Sequence, residues 1–511
     1  MFSENIYKTL YCDVAVVGGG TGGCAAAIEA ARKGMRVTLL EKGVALGGLA
    51  TCGFVPQIAG NIEGIALEFA QRLKDMGQLL STYGDKYLRN PLFEPEYGKI
   101  ALEDMLYEAG ARIIYDSTLI YAETEGRNIT RAIFYTKSGY MAVKAKIFID
   151  ATGDGDLSAL AGVPYEIGGQ DFAGLNIAST IGSRWANVNL VKYEEENAKF
   201  LEEQKAQGVE RPRDLVSALQ DIALENGELT QRVGSKFKFF KLQLPNTPKD
   251  NADIVTFAFH SYYCHATDPI DITRQVLEQH QQMKRFHAFL KKYVPGYENV
   301  RLVGIGSLPG ARESRRVYGE YMLKASDVAC GTKFEDGIAR FPEMFDTHHP
   351  TNGEWFFTRH VHIPEPAGSA VCEEEHIGVN CDARMHPFGV PAGIPARSNP
   401  RDYCDIPYRC LLPQEIDNML CAGRCCSSEF HANGAMRIIA PAMGTGMAAG
   451  LAASIAVEEG VRPRDIPGTR VRELMIAEGV PLDKEPDGYW AELREKEGEI
   501  VINSGDFLVI E

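Results

Sequence analysis

The sequence predicts an α/β fold built on a parallel sheet, and three observations carry the prediction. A buried-strand run, YCDVAVV (11–17), is followed within about 30 residues by a glycine cluster (18–23), a helix of small residues and a second apolar strand, MRVTLL (35–40). A similar strand-and-glycine segment returns at AKIFIDATGDGD (145–156), and again after residue 405 in IDNMLCAGR and the charge-free stretch 438–457. Between 171 and 400 the texture changes to charged helical stretches (191–229, 271–293) mixed with aromatic strand-like runs such as DIVTFAFHSYY. That segment reads as an α+β domain inserted into the first.

Each N-terminal element has a physical reason. The run 11–17 lacks alternation because a central parallel strand is covered on both faces. In the pattern Gly18-x-Gly20-x-x-Gly23, Gly18 makes the tight turn and Gly20 lets backbone approach a pyrophosphate. Gly23 lets helix pack closely on strand, and the helix opening through Thr21 and Gly22 turns free amides toward the phosphates. The helix CAAAIEAARKG stops at Gly34. Glu41, 18 residues beyond Gly23 at the end of the second strand, is suited to a ribose diol and disfavours a 2′-phosphate. A Rossmann-like dinucleotide site follows. Farther along, 61–110 reads as helical and 111–144 as a strand-rich meander. The tail after 461 is polar, with one late strand candidate, FLVI.

Composition excludes several classes. Of 511 residues 45% are hydrophobic and 24% charged, which is the globular average and not that of a disordered or fibrous chain. The net charge of −16, without a run of five basic residues, argues against nucleic acid as a partner. Twelve cysteines are too few for a disulfide scaffold, and MFSENIYKTLYCDVAVV has no signal-peptide pattern, so a reducing cytoplasm is expected. Residues 438–457 are long enough to span a bilayer, but Pro441, Gly444, Gly446, Gly450 and many alanines make a buried, small-residue helix the better reading. Glycine, at 51 residues, exceeds the usual share of about 7%, which marks places where backbone turns sharply or meets a ligand.

Three further segments carry a family resemblance. EKGVALGGLATCG (41–53) resembles the region where FAD-dependent oxidoreductases pass the ribityl chain and isoalloxazine, which implies cofactor contacts from Lys42, Gly47, Gly48, Thr51 and Cys52. IDATGDGD (149–156) resembles their second FAD motif, with Ala151, Thr152 and Gly153 at the turn. The stretch 418–453 is similar to their C-terminal FAD motif. There Gly423-Arg424 would pass the ribityl-pyrophosphate, and Gly444-Thr445-Gly446 would open a helix whose amides face flavin O2 and N1. Leu119, in the meander, joins the implied cofactor set. With GARESRRVYGEYML (310–323) and DIPYRCLLP (405–413), the chain resembles a bacterial FAD-dependent oxidoreductase family distantly related to fumarate reductase flavoproteins. The resemblance covers 8–170 and 295–460. It implies FAD as cofactor, an FAD domain from 8–170 and 401–460, a substrate or cap domain at 171–400 and an extension at 461–511.

A flavin site needs groups that bind substrate and move protons. His431, in SSEFHANG, is suited to acid/base work beside N5, or to a backbone hydrogen bond in a turn. Arg312 and Arg315, if ARESRR is helical, share a face and suit a carboxylate substrate, with Arg316 at i+4 from Arg312; the alternative is pairing with Glu313 or Glu320. His360 and His362 alternate on an expected strand. Cys52 stands alone, which disfavours dithiol chemistry, and covalent flavin attachment there stays open. Five cysteines between 404 and 426 contain no C-x-x-C, so no metal is expected. Gly304-Ile305-Gly306 hints at a second nucleotide turn, but no βαβ continuation follows. The expected activity is hydride transfer between flavin N5 and a small polar or anionic substrate, with an unidentified electron donor or acceptor and no membrane partner. The alternatives are an oxidase releasing peroxide and an electron-relay subunit. A homo-oligomer stays open.

Overall fold

The computed structural model describes residues 5–80, 90–209, 212–234, 242–341, 347–352 and 403–484. Its main sheet runs in the order Arg112–Ile114, β2 (Val37–Leu40), β1 (Ile6–Val17), Gly139–Asp150, with parallel pairing throughout this part. The hairpin strands Asn128–Thr136 and Thr118–Glu125 extend it antiparallel, while Met419–Cys421 pairs parallel with the far end of Gly139–Asp150. Val14, Ala15 and Val16 are fully buried, as strands covered on both faces must be.

The register decides where a site can form. Val17 lies opposite Leu40 on one side and Asp150 on the other, and Asp150 lies opposite Cys421. Four strands therefore end level, and the segments that follow them emerge together at one sheet edge. Ligands of open parallel sheets bind at such carboxyl ends.

Helix α1 (Thr21–Arg32) covers β1, and helix Ile439–Glu459 covers α1. The two helices touch almost backbone to backbone. A Cβ on Gly446 would stand 2.1 Å from the Gly22 carbonyl oxygen, and one on Gly450 would stand 2.3 Å from that of Ala26. Among the described residues Ile439–Glu459 is the helix long and apolar enough to cross a membrane, and it is buried inside the protein.

A second core gathers Trp185, Tyr193, Phe259, Phe286, Phe289 and Tyr297. It lies between helix Pro269–Tyr293 and an antiparallel sheet of Leu242–Gln243, Ala252–Ser261, Ser179–Val188 and Arg301–Ile305. This sheet meets the first body at Cys52–Phe54. Ser307 N–H donates to the Cys52 carbonyl at 2.8 Å, and a Cβ on Gly182 would stand 2.2 Å from that of Gly53. The Gly304–Gly306 segment thus ends a strand at this seam. FLVI, His360 and His362 lie outside the described residues.

One buried carboxyl makes stability depend on pH. Glu29 of α1 is 3% exposed and faces Glu478, at the end of helix Gly468–Ala477, with Lys33 Nζ 3.7 Å away. Burial and the Glu478 carboxylate raise its pKa to about 7, against the pull of Lys33 and Arg32. Folding thus opposes ionisation of Glu29, so its penalty is absent below the unfolded pKa of 4.5 and grows as pH rises to about 7. The cost reaches on the order of 3 kcal/mol. Urea unfolding should show Glu29→Gln more stable than the parent at about pH 8, with the gap closing by about pH 4.5. A gap independent of pH would refute this role.

Candidate flavin site

At the adenosine end, Glu41 follows β2 directly. Its Oε2 accepts the Gly19 N–H at 2.6 Å and its Oε1 accepts the Gly43 N–H at 2.7 Å. Each oxygen keeps a lone pair for a ribose hydroxyl. Glu41 therefore also clamps the glycine turn, a duty its spacing alone does not reveal. The Ser117 N–H donates to the Glu41 carbonyl, which runs the segment before half-buried Leu119 beside it; Lys42 is exposed.

The turn itself is a cradle. Gly18 has φ +102°, and a Cβ there would stand 2.4 Å from the Ala151 carbonyl oxygen. A Cβ on Gly23 would stand 1.9 Å from the Gly18 carbonyl oxygen. At Gly20, by contrast, no atom comes within 4 Å of the Cβ position. Gly20 caps α1 without a side-chain bond, and no acidic residue occupies the first turn. Open space in front of uncapped helix amides suits a pyrophosphate. Gly47 donates its N–H to the Gly19 carbonyl at 2.8 Å, and Gly48 lies against Gly20. Thr51 is fully buried and bonds the Leu46 carbonyl, so it braces this loop from behind, while Cys52 is partly exposed.

The second motif is organised by Asp150, a residue the sequence reading passed over. It is fully buried and accepts four bonds, from the N–H and hydroxyl of Thr152 (3.1 and 2.8 Å) and of Ser158 (2.8 and 2.6 Å). The signal was an aspartate directly before Ala151-Thr152-Gly153. A Cβ on Gly153 would stand 2.8 Å from Arg424 Nη2, and Arg424 pairs with Asp154 at 2.8 Å. Gly423 has φ +77° and donates its N–H to Thr445 Oγ1 at 3.0 Å.

Two expectations need correction. Gly444, Thr445 and Gly446 do not open helix Ile439–Glu459, which starts at Ile439; Pro441 fits its first turn, where no amide is needed. They lie inside the helix, with Gly446 packed on Gly22 and Thr445 fastening Gly423. ARESRR is not helical either, because Arg315–Val317 is a strand paired with Tyr165–Ile167. Neighbouring arginines therefore point to opposite faces. Arg315 donates to the Asp154 carbonyl and to Asp156 at 2.9 and 2.8 Å, and Arg312 donates to the Ala178 carbonyl. Burial and the Asp154 and Asp150 carboxylates raise the Asp156 pKa, against the pull of Arg315.

His431 is 6% exposed. Its ring packs against Phe430 and Phe172, at centroid distances of 5.1 and 6.3 Å. Phe172 also meets His349 at 5.0 Å, and His348 meets His260 at 5.3 Å. These partners come from four separate segments without a motif, so no sequence signal could have assembled them. Cys410, Cys425 and Cys426 are fully enclosed; burial pushes the Cys410 and Cys426 thiols well up, and the Cys421 hydrogen bond together with burial does the same at Cys425. Among the described residues no group of three His, Cys, Asp or Glu side chains stands together as a metal site.

The residues present fit an extended dinucleotide: an acid for the ribose, an open glycine turn for the phosphates, and backbone from 47–48, 151–153 and 423 along one edge. A family model described as FAD dependent oxidoreductase matches residues 13–475. No curated protein matches the sequence. A geranylgeranyl bacteriochlorophyll reductase-like structure from Thermoplasma acidophilum is 14% identical with a TM-score of 0.41, covering 98% of this chain and 94% of that one. A flavin-dependent brominase is 13% identical with a TM-score of 0.39, covering 91% and 84%. A p-nitrophenol 4-monooxygenase from Pseudomonas putida is 12% identical with a TM-score of 0.34, covering 61% and 70%.

Proposed function

The chain belongs to the FAD-dependent oxidoreductase family and its cofactor is FAD, and from that premise we propose that it transfers a hydride between the flavin and a small polar or anionic organic molecule. When bound, FAD supplies a hydride acceptor or donor at N5. The protein's own residues bind, orient and move protons. The observation that supports this reading best is His431: a buried imidazole on the same C-terminal motif as Gly423 and Arg424. We assign it the proton transfer that must accompany hydride transfer.

Arg312 is proposed as the substrate's charge partner. Arg315, which donates to the Asp154 carbonyl and to Asp156, is proposed beside it. The second body, packed on Cys52–Phe54, closes the site from the opposite side in this reading. Phe172, Phe430 and the neighbouring imidazoles exclude water around His431.

The purified protein should carry a flavin absorption spectrum, and a panel of small carboxylates, amines and alcohols should include one that bleaches it without air. Absence of a flavin spectrum even after FAD addition would refute the cofactor site. Peroxide release under air would replace dehydrogenase or reductase with oxidase. A flavin bleached by no panel member and reduced only through a protein partner would favour the electron-relay reading.

A further inference from the structure

The GARESRR segment leaves one arginine without a role in substrate binding, and its surroundings are unusual. Arg316 is 1% exposed, on the inward face of strand Arg315–Val317. Its Nε donates to the Ser428 carbonyl at 3.0 Å, and its Nη1 pairs with Glu313. Its Nη2 donates to Glu166 at 3.1 Å and to the Gly168 carbonyl at 3.0 Å. The guanidinium also lies over the Phe430 ring, 5.6 Å from its centroid. Ser428 and Phe430 are part of the turn that carries His431.

Glu313 is fully buried and extends the network. It accepts the Gly168 N–H at 3.0 Å and the Asn176 side-chain amide at 2.7 Å. Asn176 in turn accepts the Ala266 N–H at 2.8 Å and gives its own N–H to the Cys264 carbonyl at 2.9 Å, both just past the second body's strand Ala252–Ser261. On the other side, Ser428 Oγ bonds Asn433, whose amide also reaches the Arg424 carbonyl at 2.9 Å. One continuous set of bonds thus runs from the Gly423–Arg424 motif through the His431 turn into the second body.

We propose that Arg316 is a positioning residue that sets the His431 turn and ties that setting to the second body through Glu313 and Asn176. A buried ion pair adds little net stability over apolar packing, and here its geometry is what the surrounding acceptors share. Only a planar fork serves four acceptors on three sides; an ammonium cannot. The inference rests on the reading of His431 as the proton-transfer group, but the readouts that decide it, the His431 titration and the flavin spectrum, do not depend on turnover.

The test uses the full chain loaded with FAD, with histidine ¹⁵N-labelled and the His431 signal assigned by its loss in His431→Gln. Arg316→Lys should leave FAD affinity within about twofold of the parent, yet move the His431 titration by about half a pH unit or more and alter the visible circular dichroism of the bound flavin. On the substrate that bleaches the flavin, kcat should fall about tenfold with KM little changed, and adding Arg316→Lys to His431→Gln should cost nothing further. An unchanged titration and flavin spectrum overturn the proposal. If Arg316→Lys fails to fold, Asn176→Ala, which keeps the ion pair, should show a smaller shift of the same sign, and no shift there overturns it equally. A His431→Gln protein with full turnover, beside a shifted titration in Arg316→Lys, would remove the acid/base reading and leave the positioning role standing.

Discussion

A Gly23→Ala protein is expected to purify without its flavin. The new methyl group would lie 1.9 Å from the Gly18 carbonyl oxygen, with Ala151 Cβ at 3.0 Å on its other side. No side-chain torsion can relieve a clash between Cβ and backbone, so the start of α1 must retreat by about an ångström. That helix start carries the amides that face the open space at Gly20, and Gly18 and Gly19 shape the same turn. FAD affinity, read by fluorescence quenching of the apoprotein, should weaken by about 100-fold, equivalent to about 2.7 kcal/mol. Overpacking costs of about 1–3 kcal/mol should also lower the thermal midpoint. Gly20→Ala is the contrasting control, because its methyl meets no protein atom. It should fold normally and lose affinity only through the ligand. Wild-type affinity in Gly23→Ala would contradict the cradle.

Replacing His431 by glutamine should separate chemistry from binding. The side chain is buried against Phe172 and Phe430, and glutamine approximates its size. Among the described residues no hydrogen bond joins it to the glycine turn or to Glu41, so FAD content and spectrum should survive. Turnover should fall by about 10²–10⁴, the usual worth of a positioned acid or base. The loss should appear in kcat and kcat/KM alike, as for a group that acts in the transition state. Unchanged turnover rejects the role.

The cofactor half of the molecule was readable because its constraints are local. Gly18, Gly20, Gly23 and Glu41 lie within one βαβ unit, where backbone sterics and a single carboxylate shape one turn. Asp150 was legible in principle, since it precedes Ala151-Thr152-Gly153, but its work is to hold backbone inside the fold and not to face a ligand. Gly444 and Gly446 were expected to open the helix and instead lie inside it, whereas Gly450 sits in the buried, small-residue helix the composition predicts. A helix opening and a helix–helix contact both require a missing Cβ, and sequence alone does not distinguish them. Arg315 and Arg316 differ by one place and by everything in environment. A strand sends them to opposite faces, and a helical reading cannot show that. The ring contacts at His431 were illegible for a different reason: Phe172, and His349 packed on it, reach this turn only through tertiary folding.

The seam between α1 and helix Ile439–Glu459 has a consequence for biosynthesis. During translation β1, β2 and α1 leave the ribosome early, yet the surface that Gly446 and Gly450 cover on Gly22 and Ala26 stays bare until the chain is mostly made. The same holds for the edge of Gly139–Asp150 that Met419–Cys421 completes. The whole inserted body must emerge in between. Contacts of such sequence separation are slow to form and leave apolar surface exposed meanwhile. The nascent N-terminal unit is therefore a natural client for chaperones, and a chain that stalls before residue 446 would display an open, alanine-lined face with no partner of its own.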